Sequence, residues 1–171
     1  MVEKSYQTAD GRIISYCDNE AFDKKVIVFL HGWGCDKENL RGIYLLLCED
    51  FRVISIDLPG FGKSNRPAET WGSIDYAKDI ADFLKSCGIE KYSLFGHSFG
   101  GKIAFLIAYL YPQNVERLVL MAANVLRNRH GLAWYWKVWT YKLMKKVMSI
   151  FYSREKIEEW KKRFGSEDYK M

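Results

Sequence analysis

No apolar run in this sequence is long enough to cross a membrane: the longest, "IAFLIAYLY", is about half of the ~20 residues that a span needs. The first dozen residues, "MVEKSYQTADGR", lack the apolar segment of a signal peptide. The four cysteines, Cys17, Cys35, Cys48 and Cys87, form no Cys-x-x-Cys pair and have no recognisable metal spacing. They read as small buried residues with free thiols in a reducing compartment. The expected location is therefore cytoplasmic, and no metal is expected. Internal repeats and low-complexity segments are lacking too, which excludes repeat architectures.

What is present is one domain's worth of chain. Of the 171 residues 49% are hydrophobic, which supports a packed core. The net charge of +5 is unevenly spread. Residues 1–126 hold 14 Lys+Arg against 16 Asp+Glu, whereas residues 127–171 hold 12 against 5. Four of the six tryptophans (Trp134, Trp136, Trp139 and Trp160) also fall in the basic tail. The composition changes near Asn124 and divides the chain into 1–125 and 126–171.

Asp10-Gly11 is a turn signal, so residues 5–17 read as a hairpin. Four apolar runs follow: "KVIVFL" (25–30), "FRVISI" (51–56), "KYSLF" (91–95) and "RLVLMA" (117–122). They are not alternating, as expected of strands buried on both faces. Helical patterns lie between them. The second, "SIDYAKDIADFLKSCG", opens on Ser73 as expected N-cap, carries Ile74, Ala77, Ile80 and Leu84 at helical spacing, and stops at Gly88. The third, "GGKIAFLIAYLYP", ends at Pro112. Alternating strands and helices predict an α/β fold with a mostly parallel sheet and flanking helices. In the tail, Leu132, Trp136, Trp139, Leu143, Val147 and Phe151 form one helical stripe. Ser153 and Gly165 bracket a second helix.

Such sheets bind ligands beyond the carboxyl ends of their strands. Three glycine-rich turns converge there: "HGWG" (31–34), "DLPGFGKS" (57–64) and "GHSFGG" (96–101). The last fits Gly-x-Ser-x-Gly at a strand-to-helix joint, where a serine on a sharp turn needs small neighbours. Gly96 and Gly100 supply them. Gly32 and Gly34 let the first turn fold close to the serine, and His31 reads as a structural, hydrogen-bonded member of that turn. "PGFGKS" is not a phosphate loop, because the required first glycine is Asp57. Nucleotide binding is excluded, and no nucleic acid partner is expected.

Together the three turns, in this order, resemble the α/β-hydrolase fold family in its lipase, esterase and C–C hydrolase branch. The resemblance covers residues 5 to about 125. It implies that Ser98 is the nucleophile, that the amides of Trp33 and Phe99 form the oxyanion hole, and that 126–171 is a partial helical cap. It implies a small ester-type or related acyl substrate and no metal or organic cofactor.

The family's triad continues with an acid and a histidine after the nucleophile, on loops beyond the cap. No strand pattern follows residue 122, so the sheet is expected to be incomplete, its last strands missing. His31 and His97 sit inside turns at positions the family does not use for its base. His130, in "RNRHG", is the remaining histidine. The residue just after the fourth run, where some members carry the acid, is Asn124. The expectation is a nucleophile whose base is absent from this chain. Two other readings stay open. One is a non-catalytic remnant that keeps the pocket and binds a ligand or partner. The other is weak membrane-surface contact through 132–164, whose stripe serves a lid or an interfacial helix equally well. The unpartnered strand 117–122 is a candidate for self-association.

Overall fold

The structure, a computed structural model, describes residues 1–123, 125, 136, 139 and 140. The chain divides into two compact units, Met1–Leu126 and Arg127–Met171. The described residues of the first form a six-stranded mixed sheet and three helices.

The hairpin is longer at both ends than its sequence signal. Strands β1 (Val2–Gln7) and β2 (Ile13–Asp18) pair antiparallel from Val2 opposite Asp18 to Gln7 opposite Ile13. Gly11, at φ +83°, closes the turn by donating its N–H to the Thr8 carbonyl at 2.9 Å. β2 then lies antiparallel to β4 (Arg52–Ile56). From there β4, β3 (Val26–Leu30), β5 (Tyr92–His97) and β6 (Val115–Met121) run parallel, in the order β1-β2-β4-β3-β5-β6.

The non-alternating runs have a direct cause. In β3, Val28 and Leu30 enter one core with Ile54, Ile56, Leu94 and Ile103, while Ile27 and Phe29 enter a second with Val53 and Tyr44. Both faces are dry, so both must be apolar. The first core lies under α2 (Ser73–Ser86) and α3 (Phe99–Leu110), the second under α1 (Arg41–Leu47). Each buried Leu, Ile or Phe contributes ~1.5–3 kcal/mol relative to an exposed one.

The start of α2 differs from expectation. Gly72, not Ser73, is the N-cap of α2: the Asp75 carboxylate accepts the Gly72 N–H at 2.8 Å, and Ser73 is already helical. Ile74 is exposed, and Tyr76 and Phe83 complete the buried face with Ala77, Ile80 and Leu84. α1 starts at Arg41, and Glu38 in the preceding turn accepts from the Arg41 and Tyr44 side chains.

β6 pairs only with β5 among the described residues. Its neighbouring Val119 and Leu120 are 45% and 38% exposed, on opposite faces of the outermost strand. No helix among the described residues is long and apolar enough to cross a membrane. Asn124, His130, the two tail helices, and the cap and membrane readings of the tail lie outside the described residues. The exceptions are Trp136, Trp139 and Thr140, which are helical, the two indole rings being exposed and 6.0 Å apart.

Candidate active site

β5 ends at His97 and α3 begins at Phe99. Ser98 between them has φ +50° and ψ −110°, a conformation that costs a non-glycine residue on the order of 1–3 kcal/mol. The surrounding backbone holds it there. Ser98 donates its N–H to Met121 O at 2.9 Å, Gly100 donates to His31 O at 3.0 Å, and Lys102 donates to Ser98 O at 3.2 Å. A Cβ at Gly100 would fall on the carbonyl oxygens of Leu30 and His31, and one at Gly96 on the backbone of Gly100 and Gly101. The glycines thus let α3 start in contact with the end of β3.

That contact brings the first turn to the serine. A Cβ built on Gly32 would stand 3.5 Å from Ser98 Cβ and 3.1 Å from His97 Nδ1. Gly34, at φ +75°, lets the turn double back, and Cys35 donates its N–H to Gly32 O at 3.2 Å. Neither the Trp33 amide nor the Phe99 amide has a hydrogen-bond acceptor among the described residues. The Phe99 amide is also the first of α3, where free N–H groups and the helix dipole favour negative charge.

His31 is buried. Its Nε2 accepts the Leu58 N–H at 3.0 Å, so Nδ1 carries the proton and donates to Gly32 O at 2.8 Å. The ring staples the first turn to the second. Burial holds its pKa below the ordinary 6.5, against the raising effect of the Gly32 carbonyl. A depressed histidine pKa means that the unfolded chain binds the proton more readily, so the contribution is complete above pH 6.5 and is lost as pH falls below it. Urea midpoints should therefore drop between pH 7.5 and pH 5.5. His31→Gln, which keeps a donor and an acceptor but does not titrate, should flatten that slope; an equally steep slope in the variant would refute the assignment.

His97 packs its ring against Gly32, with Nδ1 buried and unpartnered. Neither His31 nor His97 hydrogen-bonds Ser98, and no described carboxylate hydrogen-bonds either ring.

The second turn is built around a charge pair that sequence reasoning did not single out. Asp57 is fully buried. Its Oδ1 accepts the Lys37 N–H at 2.7 Å, and its Oδ2 accepts Lys37 Nζ at 2.7 Å and the Lys63 N–H at 2.9 Å. Lys37 Nζ also meets Ser15 Oγ at 3.1 Å and Glu3 at 3.0 Å. Burial disfavours the Lys37 ammonium, but Asp57 and Glu3 outweigh it and raise its pKa. No spacing rule links residues 37 and 57. The one signal was an aspartate closing an otherwise apolar strand run.

Three aromatic rings meet beside the serine. Trp33 lies edge-to-face with Phe61 at 5.0 Å and with Phe99 at 5.1 Å, and Phe61 is 6.4 Å from Phe99. Tyr76 and Trp71 continue the contact behind Phe99.

The sequence profile of the alpha/beta hydrolase fold matches residues 25–164. The chain belongs to this family. It is 35% identical over 95 residues to a soluble epoxide hydrolase of Corynebacterium sp., covering 56% of this chain and 33% of that protein. To Epoxide hydrolase 4 of Mus musculus it is 36% identical over 104 residues, covering 57% and 28%. Among solved structures it resembles a bacterial membrane phospholipase A, with a TM-score of 0.72 and 30% identity over 76% of this chain and 42% of that one. A thermophilic esterase from Thermogutta terrifontis gives a TM-score of 0.65 at 26% identity, covering 72% and 46%. This alpha/beta hydrolase chain spans about a third of those curated relatives and less than half of those structures.

Proposed function

We propose that this chain carries the nucleophile and oxyanion hole of a serine hydrolase acting on a small ester or a related acyl or C–C bond. The observation that carries the reading is Ser98 at positive φ beside two amides, Trp33 and Phe99, that have no acceptor of their own. Ser98 Oγ attacks the substrate carbonyl carbon and gives its proton to a base. The oxygen that becomes negative receives the two N–H groups, each worth ~3 kcal/mol of barrier in comparable sites. The chemistry calls for no metal or organic cofactor. The acid and base come from outside the described residues, and residues 126–171 serve as a partial cap. The four cysteines, all free, support a reducing, cytoplasmic setting.

The test is covalent capture. A fluorophosphonate should add once to the purified chain, slowly, and not at all to Ser98→Ala, as read by intact mass. Labelling elsewhere, or none, defeats the assignment. A second reading, a ligand- or partner-binding remnant without turnover, is favoured by the absence of a hydrogen-bonded base beside Ser98 among the described residues.

The same reading includes self-association through β6, supported by an edge that has no partner strand among the described residues and by exposed Val119 and Leu120. Light scattering should show mass rising with concentration, and Leu120→Lys should suppress it. A monomer at all concentrations, with fast exchange of the β6 amides, would rule this out.

A further inference from the structure

We propose that Trp33, Phe61 and Phe99 form the wall that binds a flat, uncharged aryl acyl group, so that esters of arenecarboxylic acids are the substrate class. This rests on the serine reading above. Each ring comes from a different turn: Trp33 from the one after β3, Phe61 from the one after β4, and Phe99 from the first residue of α3. The wall is tied to the nucleophile on two sides. Phe99 directly follows Ser98, and Gly32, next to Trp33, stands against Ser98 Cβ.

The ring geometry selects the ligand. Trp33 meets Phe61 and Phe99 at interplanar angles of 76° and 79°, so both neighbours touch it edge-to-face. The indole nevertheless remains 68% exposed. An exposed indole beside two rings set steeply to it offers a planar group aromatic contacts in more than one orientation. A charged acyl group would lose its hydration there without a partner.

The wall is rigid as well. Tyr76, nearly buried, backs Phe99 at 5.2 Å and an 84° angle, and Trp71 backs Tyr76 at 5.4 Å and 88°. The Arg12 guanidinium lies 4.6 Å from the Trp71 ring centroid and is fixed by its ion pair with Asp79 at 2.5 Å. A surface already ordered before binding spends little affinity on being ordered.

Two measurements test this. The first needs no nucleophile: methyl benzoate and methyl hexanoate are titrated onto Ser98→Ala and followed by ligand-observed NMR. The benzoate should bind about tenfold more tightly, as two or so ring contacts provide. That preference should collapse in Ser98→Ala chains that also carry Phe61→Leu or Trp33→Leu. Leucine keeps bulk and removes the ring, and thermal melts identify any variant that fails to fold. The second compares modification of Ser98 by phenylmethanesulfonyl fluoride and methanesulfonyl fluoride. Oγ displaces fluoride from sulfur and its proton passes to water. The phenyl-to-methyl rate ratio should fall about tenfold in Phe61→Leu. Equal binding of the two esters, or a preference untouched by both leucine variants, overturns the wall. If neither reagent modifies Ser98, the serine reading falls, while aryl-selective ester binding still upholds the wall.

Discussion

The isolated chain should hydrolyse p-nitrophenyl acetate scarcely faster than its own Ser98→Ala variant. A serine hydroxyl is a weak nucleophile until a base takes its proton. Of the two described histidines, His31 spends both ring nitrogens, on the Leu58 amide and the Gly32 carbonyl. His97 holds its ring against Gly32 and makes no hydrogen bond to Ser98. The two proposed oxyanion donors, the Trp33 and Phe99 amides, would stabilise charge only after attack has begun. Loss of triad members costs ~10⁴ to 10⁶ in turnover, while the oxyanion hole and binding leave a small residual rate. The same balance allows slow, single-hit capture by a fluorophosphonate without turnover. His130→Ala should change nothing. A polypeptide that supplies an acid and a histidine to Ser98 should regain the rate. Robust turnover that disappears in Ser98→Ala would overturn this expectation and point to His130 or a partner subunit as the base. Equal, negligible rates in the two chains, with methyl benzoate still bound, would favour the ligand-binding remnant.

The strands and the elbow were legible because their signals are local. "VIVFL" must be apolar on both sides to sit between α1 and the α2–α3 layer, and a serine among glycines at a strand-to-helix joint has few other uses. What stayed hidden depends on contacts between distant residues. Nothing in the hairpin says that β2 will lie beside β4 rather than β3. Ser73 is a good N-cap by type, but the cap falls at Gly72, where the Asp75 carboxylate meets the backbone. Phe61 and Trp33 lie 28 positions apart, and only the adjacency of β3 and β4 brings their rings together. The Lys37–Asp57 pair was the most deeply hidden, since burial of charge has no sequence period.

Replacing one member of that pair should lower stability sharply. Asp57→Asn keeps the shape and removes the charge, leaving the Lys37 ammonium, itself 6% exposed, with Ser15 and Glu3 as its described partners. Breaking one side of a buried ion pair typically costs ~3–5 kcal/mol. Against the ~5–15 kcal/mol that holds an ordinary domain together, this is about a fifth or more of the total. One amide hydrogen of the new asparagine would also face the Lys37 or Lys63 donors in place of an acceptor. Urea unfolding at pH 7 should therefore show a large drop in midpoint for Asp57→Asn. The double replacement Lys37→Met with Asp57→Leu should lose less than Asp57→Leu alone, because it leaves no unpaired charge behind. The effect reaches the site. Asp57 fixes the turn whose Leu58 N–H holds His31 and which carries Phe61. A folded Asp57→Asn chain should thus also capture the fluorophosphonate more slowly than wild type. If its midpoint and capture rate both match wild type, the network is ornamental and the second turn is held by something else.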